Sequence, residues 1–179
     1  DKTRDGLSLG EGSGTIILTA DPSFCGKVRI EAGEGFSTND ANHISGPSRT
    51  GEGLYLAISR ILKKTPVTID FISAHGTATS YNDEMESIAI TRAGLQNVPL
   101  NSFKGYWGHT LGASGVIESI MGIYSIKNSI LFNTAGFSEP GVSNPLNIIT
   151  RSESRETGNC LKIASGFGGC NAAILFRKK

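Results

Sequence analysis

Residues 69–93 read IDFISAHGTATSYNDEMESIAITRA. Ile69 to Ala74 is a short β-rich run that breaks at His75-Gly76. A helix is expected from about Asp83 to Ala93, with Asp83 as its cap, Glu86 three residues on and Gly94 as its stop. Strand, glycine turn and helix in succession is the unit from which helix-covered sheets are built. Downstream the unit recurs: Asn101 to Gly105 reads as a strand ending near His109, and Leu111 to Asn128 as a helix. Val116, Ile117, Ile120, Met121, Ile123, Tyr124 and Ile126 surround that helix, and Glu118 is its only charge before Lys127. A helix apolar all round is expected to be buried. Upstream, Gly14 to Ala20 (GTIILTA) and Lys27 to Ser37 read as strands, the second with a bulge at its glycines. Leu54, Ala57, Ile58, Ile61 and Leu62 mark one face of an amphipathic helix that Pro66 stops. Leu161 to Ala164 and Ala172 to Phe176 flank the turn GFGG as a hairpin. The alternation gives an α/β class with one mainly covered sheet.

The chain has 179 residues and 18.9 kDa, one ordinary domain or one half of a larger one. At 38% apolar and 18% charged residues it is too apolar for disorder. Seventeen Lys and Arg balance sixteen Asp and Glu without a basic stripe, which excludes nucleic acid as an expected partner. Apolar runs such as Thr15 to Ala20 fall far short of the roughly 20 residues that span a bilayer, so no membrane insertion is expected. DKTRDG has no apolar signal region, and three cysteines argue against a disulfide framework and for a reducing cytoplasm. Asp1 in place of an initiator Met, opening into glycine-rich sequence, reads as a piece of a longer chain. The 23 glycines are well above the usual share of about 7% and suggest tight turns around a built site.

Most generic motifs fail. There is no GxxxxGK[ST], and Gly10, Gly12 and Gly14 lack the GxGxxG spacing. Cys25, Cys160 and Cys170 form no ligand grouping with His43, His75 or His109, so no metal is expected. His75 and His109 differ from the rest because each follows an expected strand and precedes a helix, in AHGT and GHTLGA. That places them at the carboxyl ends of strands, where ligands bind in α/β sheets. On residues alone, capping or loop histidines fit equally well. The junction Gly166 to Gly169 is a third glycine-bounded turn that can converge on the same pocket. Lys104, among apolar and aromatic neighbours, is either a solvated surface lysine or a buried one that needs a partner.

The segments AHGTATSYNDEMES (74–87), SFKGYWGHTLGASGVIES (102–119), SGFGGCNAAILF (165–176) and DKTRDGLSLGEGSG (1–14) together resemble the C-terminal half of elongating β-ketoacyl-acyl-carrier-protein synthases, of the thiolase superfamily. The resemblance implies a thiolase-like fold, with residues 1–179 as one αβα half of a five-layered αβαβα protein and the N-terminal half, which carries the nucleophilic cysteine, absent. It implies an acyltransferase that joins an enzyme-bound acyl group to malonyl on an acyl carrier protein, losing carbon dioxide, in fatty acid or polyketide-type biosynthesis. His75 and His109 would be the two histidines of a Cys-His-His set, Lys104 the active-site lysine and Glu118 its counter-ion. Phe167 would be the gating phenylalanine, its N–H contributing to an oxyanion hole. Thr77 and Thr79 would hold the phosphopantetheine arm, and Asp83, Glu86 and Gly168, with Glu118, are expected as structural support. No cofactor is implied beyond the carrier's phosphopantetheine. The implied partners are the carrier protein, the other half and a second subunit, as homodimer or heterodimer.

The sequence departs from the family pattern in places. None of the three cysteines occupies the nucleophile's strand-to-helix turn, and Cys170, after GFGG, reads as a small packing residue. Ser165, Tyr106 and Trp107 are unusual at their positions, and the connection from Ala20 to Lys27 is short. These departures leave open a non-catalytic partner subunit of the chain-length-factor type, or a carrier-binding or dimerisation module. His75, His109 and Lys104 together favour the enzyme.

Overall fold

In the computed structural model, which describes all 179 residues, the sheet is built from five strands. In chain order these are β1 (Ile30–Asn39), β2 (Phe71–Ser73) and β3 (Leu100–Asn101), a small separate pair β4 (Ile130–Leu131) and β5 (Glu153–Ser154), then β6 (Asn159–Gly166) and β7 (Cys170–Lys178). The helices are α1 (Glu52–Lys64), α2 (Ser80–Arg92), the single turn α3 (Lys104–Trp107) and α4 (Ser114–Asn128). The main sheet runs β1-β7-β6-β2-β3. β1, β7 and β6 pair antiparallel, whereas β2 lies parallel to both β3 and β6. Ser73 is opposite Asn101 on one side and Lys162 on the other, so three strands run out at the same end of the sheet. His75, Lys104 and the β6–β7 turn follow from those ends.

The two faces are covered differently. Leu54, Ile58 and Ile61 of α1 and Met85 and Ile90 of α2 pack on Ile72, Leu161, Ile163 and Leu175. The opposite face, with Phe71, Cys160 and Phe176, meets Ile126 of α4. This gives αβα layering. β1 carries its expected bulge, a register shift between Ala32 and Gly35. No helix is long and apolar enough to cross a membrane.

Several expectations are corrected. Gly14 to Ala20 is no strand: it pairs with nothing, and Ile17 and Leu18 are 88% and 73% exposed. β-branched composition favours extension, but a strand needs a neighbour to exist. The strand expected at Asn101 to Gly105 stops at Asn101, and Lys104 already belongs to α3. α2 starts at Ser80 with Thr79 at its N-cap, so Asp83 is not the cap. The carboxylates of Asp83 and Glu86 instead reach back over the preceding turn. α4 starts only at Ser114, after a short 3-10 turn, Leu111–Ala113. Its most buried face is small and polar (Ser114, Glu118, Ser119, Gly122, Ser125), while Val116, Ile117 and Ile120 are only half-buried. Ile126 is the one large apolar side chain of α4 that is fully buried, and the other bulky ones are half-buried or exposed.

Candidate active site

The turn after β2 is shaped by carboxylates from α2. Glu86 is buried, and its two oxygens accept the backbone N–H of His75 at 2.8 Å and of Gly76 at 2.7 Å. Asp83 accepts the N–H of Thr77 at 3.2 Å. Gly76 has φ 47°, and a Cβ there would lie 2.6 Å from that of Ser102. Burial raises the pKa of both carboxylates, and for Glu86 the neighbouring Asp83 adds to the rise.

Lys104 is the point where the strands' ends meet. It is 8% exposed, and its ammonium donates to Glu118 Oε1 at 2.6 Å, to the His75 carbonyl and to His75 Nδ1 at 3.2 Å. The surface-lysine alternative is excluded by this burial. Burial lowers the Lys104 pKa, and Glu118 opposes the fall. Glu118 serves two lysines, since its Oε2 lies 2.6 Å from Lys162 Nζ. Lys162, on β6, is 3% exposed and was not marked by any sequence motif. In LKIAS it reads as one polar residue of an alternating strand, and only the tertiary fold turns it onto Glu118.

His109 is fixed by the N-terminal segment. Its N–H donates to the Ser8 carbonyl at 2.7 Å, and its own carbonyl accepts from Gly10 N–H at 3.1 Å. A Cβ on Gly10 would lie 1.8 Å from the Trp107 carbonyl oxygen, so only glycine allows this approach. The Leu111 N–H donates to His109 Nδ1 at 3.0 Å, and Ser114 Oγ lies 2.9 Å from the same atom. A backbone N–H can only donate, so Nδ1 is unprotonated and the proton sits on Nε2. At His75 the Lys104 ammonium on Nδ1 imposes the same tautomer. The two rings lie edge to face with centroids 5.0 Å apart.

Both imidazoles are held neutral. Burial first, then the charges of Lys104, Lys162 and His109, lowers the His75 pKa from 6.5 to about 2. Burial and then Lys104 lower that of His109. The result is a pair of neutral rings, each with its Nδ1 occupied and its Nε2–H left to donate. Such an arrangement can stabilise negative charge developing on a shared oxygen.

Thr77 and Thr79 come together, with hydroxyl oxygens 2.8 Å apart. Phe167 is on the β6–β7 turn with its ring 80% exposed, and Gly168 beside it takes φ 82°. The Gly168 carbonyl accepts from Asn39 Nδ2 at 2.8 Å, which ties the turn to β1. A cavity of about 350 Å³ adjoins the site, lined by Thr77, Glu86, Ser102 and Lys104 but by neither histidine. Cys160 is buried, and burial pushes its thiol up to about 12. Cys170, expected to pack, is exposed, because it lies at the hairpin tip.

Comparison with known proteins gives this chain a family. Residues 31–138 match the model of the β-ketoacyl synthase C-terminal domain. The 3-oxoacyl-[acyl-carrier-protein] synthase 2 of Rhizobium meliloti (strain 1021) is 34% identical over 189 residues, covering 99% of this chain and 44% of that protein. The solved ishigamide ketosynthase/chain length factor superposes with a TM-score of 0.90 at 28% identity, over 99% of this chain and 45% of its own. A type II polyketide acyl-carrier protein in complex with its ketosynthase bound to the hexaketide matches with a TM-score of 0.75 at 30% identity, over 80% of this chain and 37% of the other. The chain thus spans less than half the length of the relatives it matches, and its thiolase-like α/β fold is theirs. It belongs to the β-ketoacyl synthase family and carries that family's C-terminal domain.

Proposed function

We propose that this chain supplies the decarboxylation half of the site in a 3-oxoacyl-[acyl-carrier-protein] synthase. The observation that carries the reading is the pair of neutral histidines whose Nε2–H groups are both left free. The malonyl C–C bond to the carboxylate breaks, carbon dioxide leaves, and the electron pair forms an enolate whose thioester oxygen accepts from His75 and His109. The enolate carbon then attacks the acyl thioester on a cysteine supplied by the rest of the protein. The carbon–carbon bond forms as the thiolate leaves, and the 3-oxoacyl product stays on the carrier. The Phe167 N–H would serve the acyl oxyanion, and Thr77 and Thr79 the pantetheine amides. The carrier's phosphopantetheine is then the only prosthetic group required.

An acyl carrier protein as partner is supported by the carrier–ketosynthase complex that this chain resembles. A second subunit is supported by the ishigamide ketosynthase/chain length factor match. The intact histidine pair and buried Lys104 favour the catalytic member over an inactive partner. In the complete protein, His75→Ala or His109→Ala should cut carbon dioxide release from malonyl-carrier protein by about a hundredfold or more. Acyl-enzyme formation should fall less, because that step relies on the thiolate and its own oxyanion hole. Equal loss of both steps in a variant with native circular dichroism would overturn the reading.

A further inference from the structure

Lys162 is a buried cation with no part in the motifs or in the reaction as written. Its Nζ lies 2.6 Å from the Ile163 carbonyl oxygen, 3.1 Å from that of Ala74 and 3.4 Å from that of Ser73. The fourth oxygen is Glu118 Oε2 at 2.6 Å. Ser73 and Ala74 are the last two residues before His75, at the point where β2 runs out. A lysine so deeply buried is costly unless its charge is matched, and here one carboxylate serves two ammonium groups. Hydrophobic packing alone would not retain it on the face where Cys160 and Phe71 are simply apolar.

We propose that Lys162 is a positioning residue for the histidine pair: its ammonium clamps the carbonyl end of β2 in front of His75 and holds Glu118 in place for Lys104. The requirement is for a cation at the centre of four oxygens, not for a side chain that fills the space. The proposal rests on the histidine pair being the decarboxylation site. The charged and titratable groups that face His75 are Lys104 of α3, Glu118 of α4, Lys162 of β6, Glu86 of α2 and His109 beside it. Removing Lys162 removes one of two positive charges set against a single shared carboxylate, so His75 should protonate at higher pH.

The experiment uses the complete protein with Lys162→Met, which keeps the length and loses the charge, and Lys162→Ala, which opens the space. Lys162→Met should lower malonyl decarboxylation about tenfold or more and move the acid limb of its pH profile upward. The His75 ring titration, followed by nitrogen NMR, should move the same way without reference to activity. Lys162→Ala should regain rate, saturably, in ethylammonium or potassium chloride, whereas Lys162→Met should not. If Lys162→Met does not fold, cation-dependent folding of Lys162→Ala supports the proposal and its absence overturns it. Unchanged His75 titration in folded Lys162→Met, or no rescue of Lys162→Ala by either cation, also overturns it. Failure of the catalytic reading would show separately, as decarboxylation that survives His75→Ala.

Discussion

The carboxylate of Glu86 accepts the backbone N–H of His75 at 2.8 Å, so a residue on α2 fixes the main chain of a residue just past β2. Its other oxygen takes Gly76 N–H and Asn82 Nδ2, at 2.7 and 2.8 Å. Glu86→Ala would leave two N–H groups without their acceptors in a buried turn, at a cost of about 1–3 kcal/mol each. Glu86→Gln keeps only one acceptor oxygen and should cost less. The check is denaturant unfolding of the complete protein. Malonyl decarboxylation should fall in the same order, Ala below Gln below Glu.

Gly10 stands against the Trp107 carbonyl, where an added Cβ would come within 1.8 Å. Backbone must move to admit it, and the moved backbone is the strand-like segment that pins His109. Gly10→Ala should therefore destabilise by about 1–3 kcal/mol. It should also lower decarboxylation more than acyl transfer, because Gly10 N–H donates to the His109 carbonyl. A variant with native rates for both steps would contradict this.

Much of this site was legible because its chemistry lies in three short motifs at strand ends. His75 and His109 stand beside glycines at strand ends, where capping histidines fit equally well, and it is the family resemblance that singles out Lys104 and Glu118 as a pair. What the sequence hid depends on long-range pairing. Gly14 to Ala20 has strand composition but no neighbour in the fold, so composition misled. Asp83 and Glu86 have the spacing of a cap on their own helix, yet they bind the turn before it, because α2 begins at Ser80. Lys162 gave no signal, since a lone lysine in a strand ordinarily faces water.

Thr77 and Thr79 test the pantetheine assignment. Their hydroxyls bond one another at 2.8 Å, so changing both to Val removes donor and acceptor together and should leave stability within about 1 kcal/mol of native. Use of malonyl-carrier protein should weaken by a few kcal/mol at most, chiefly in KM, since neutral hydrogen bonds are modest. Self-acylation from a small thioester, which has no such arm, should continue. Steady-state kinetics with carrier-linked and small thioesters, beside thermal melts, makes the comparison. Undiminished use of the carrier substrate would remove the assignment.

His75 should also write itself into the pH dependence of stability. Unfolded, it binds a proton near pH 6.5; folded, burial and the lysine charges hold it neutral down to about pH 2. Between these values the unfolded state binds more protons, so acidification favours unfolding by up to about 1.4 kcal/mol per pH unit. His109, lowered in the same direction, adds to the slope. Glu86 and Asp83, raised by burial, act with the opposite sign above their unfolded values, because their folded forms hold protons longer. A wild-type curve alone therefore mixes opposing contributions. The informative quantity is the difference in unfolding free energy between wild type and His75→Asn, followed from pH 7.5 to 5. That difference should stay flat above pH 7 and then turn against the wild type below pH 6.5, as the unfolded histidine takes up its proton. A difference that stays flat throughout would mean that folded His75 protonates as freely as in the unfolded chain, and the neutral donor role would go with it.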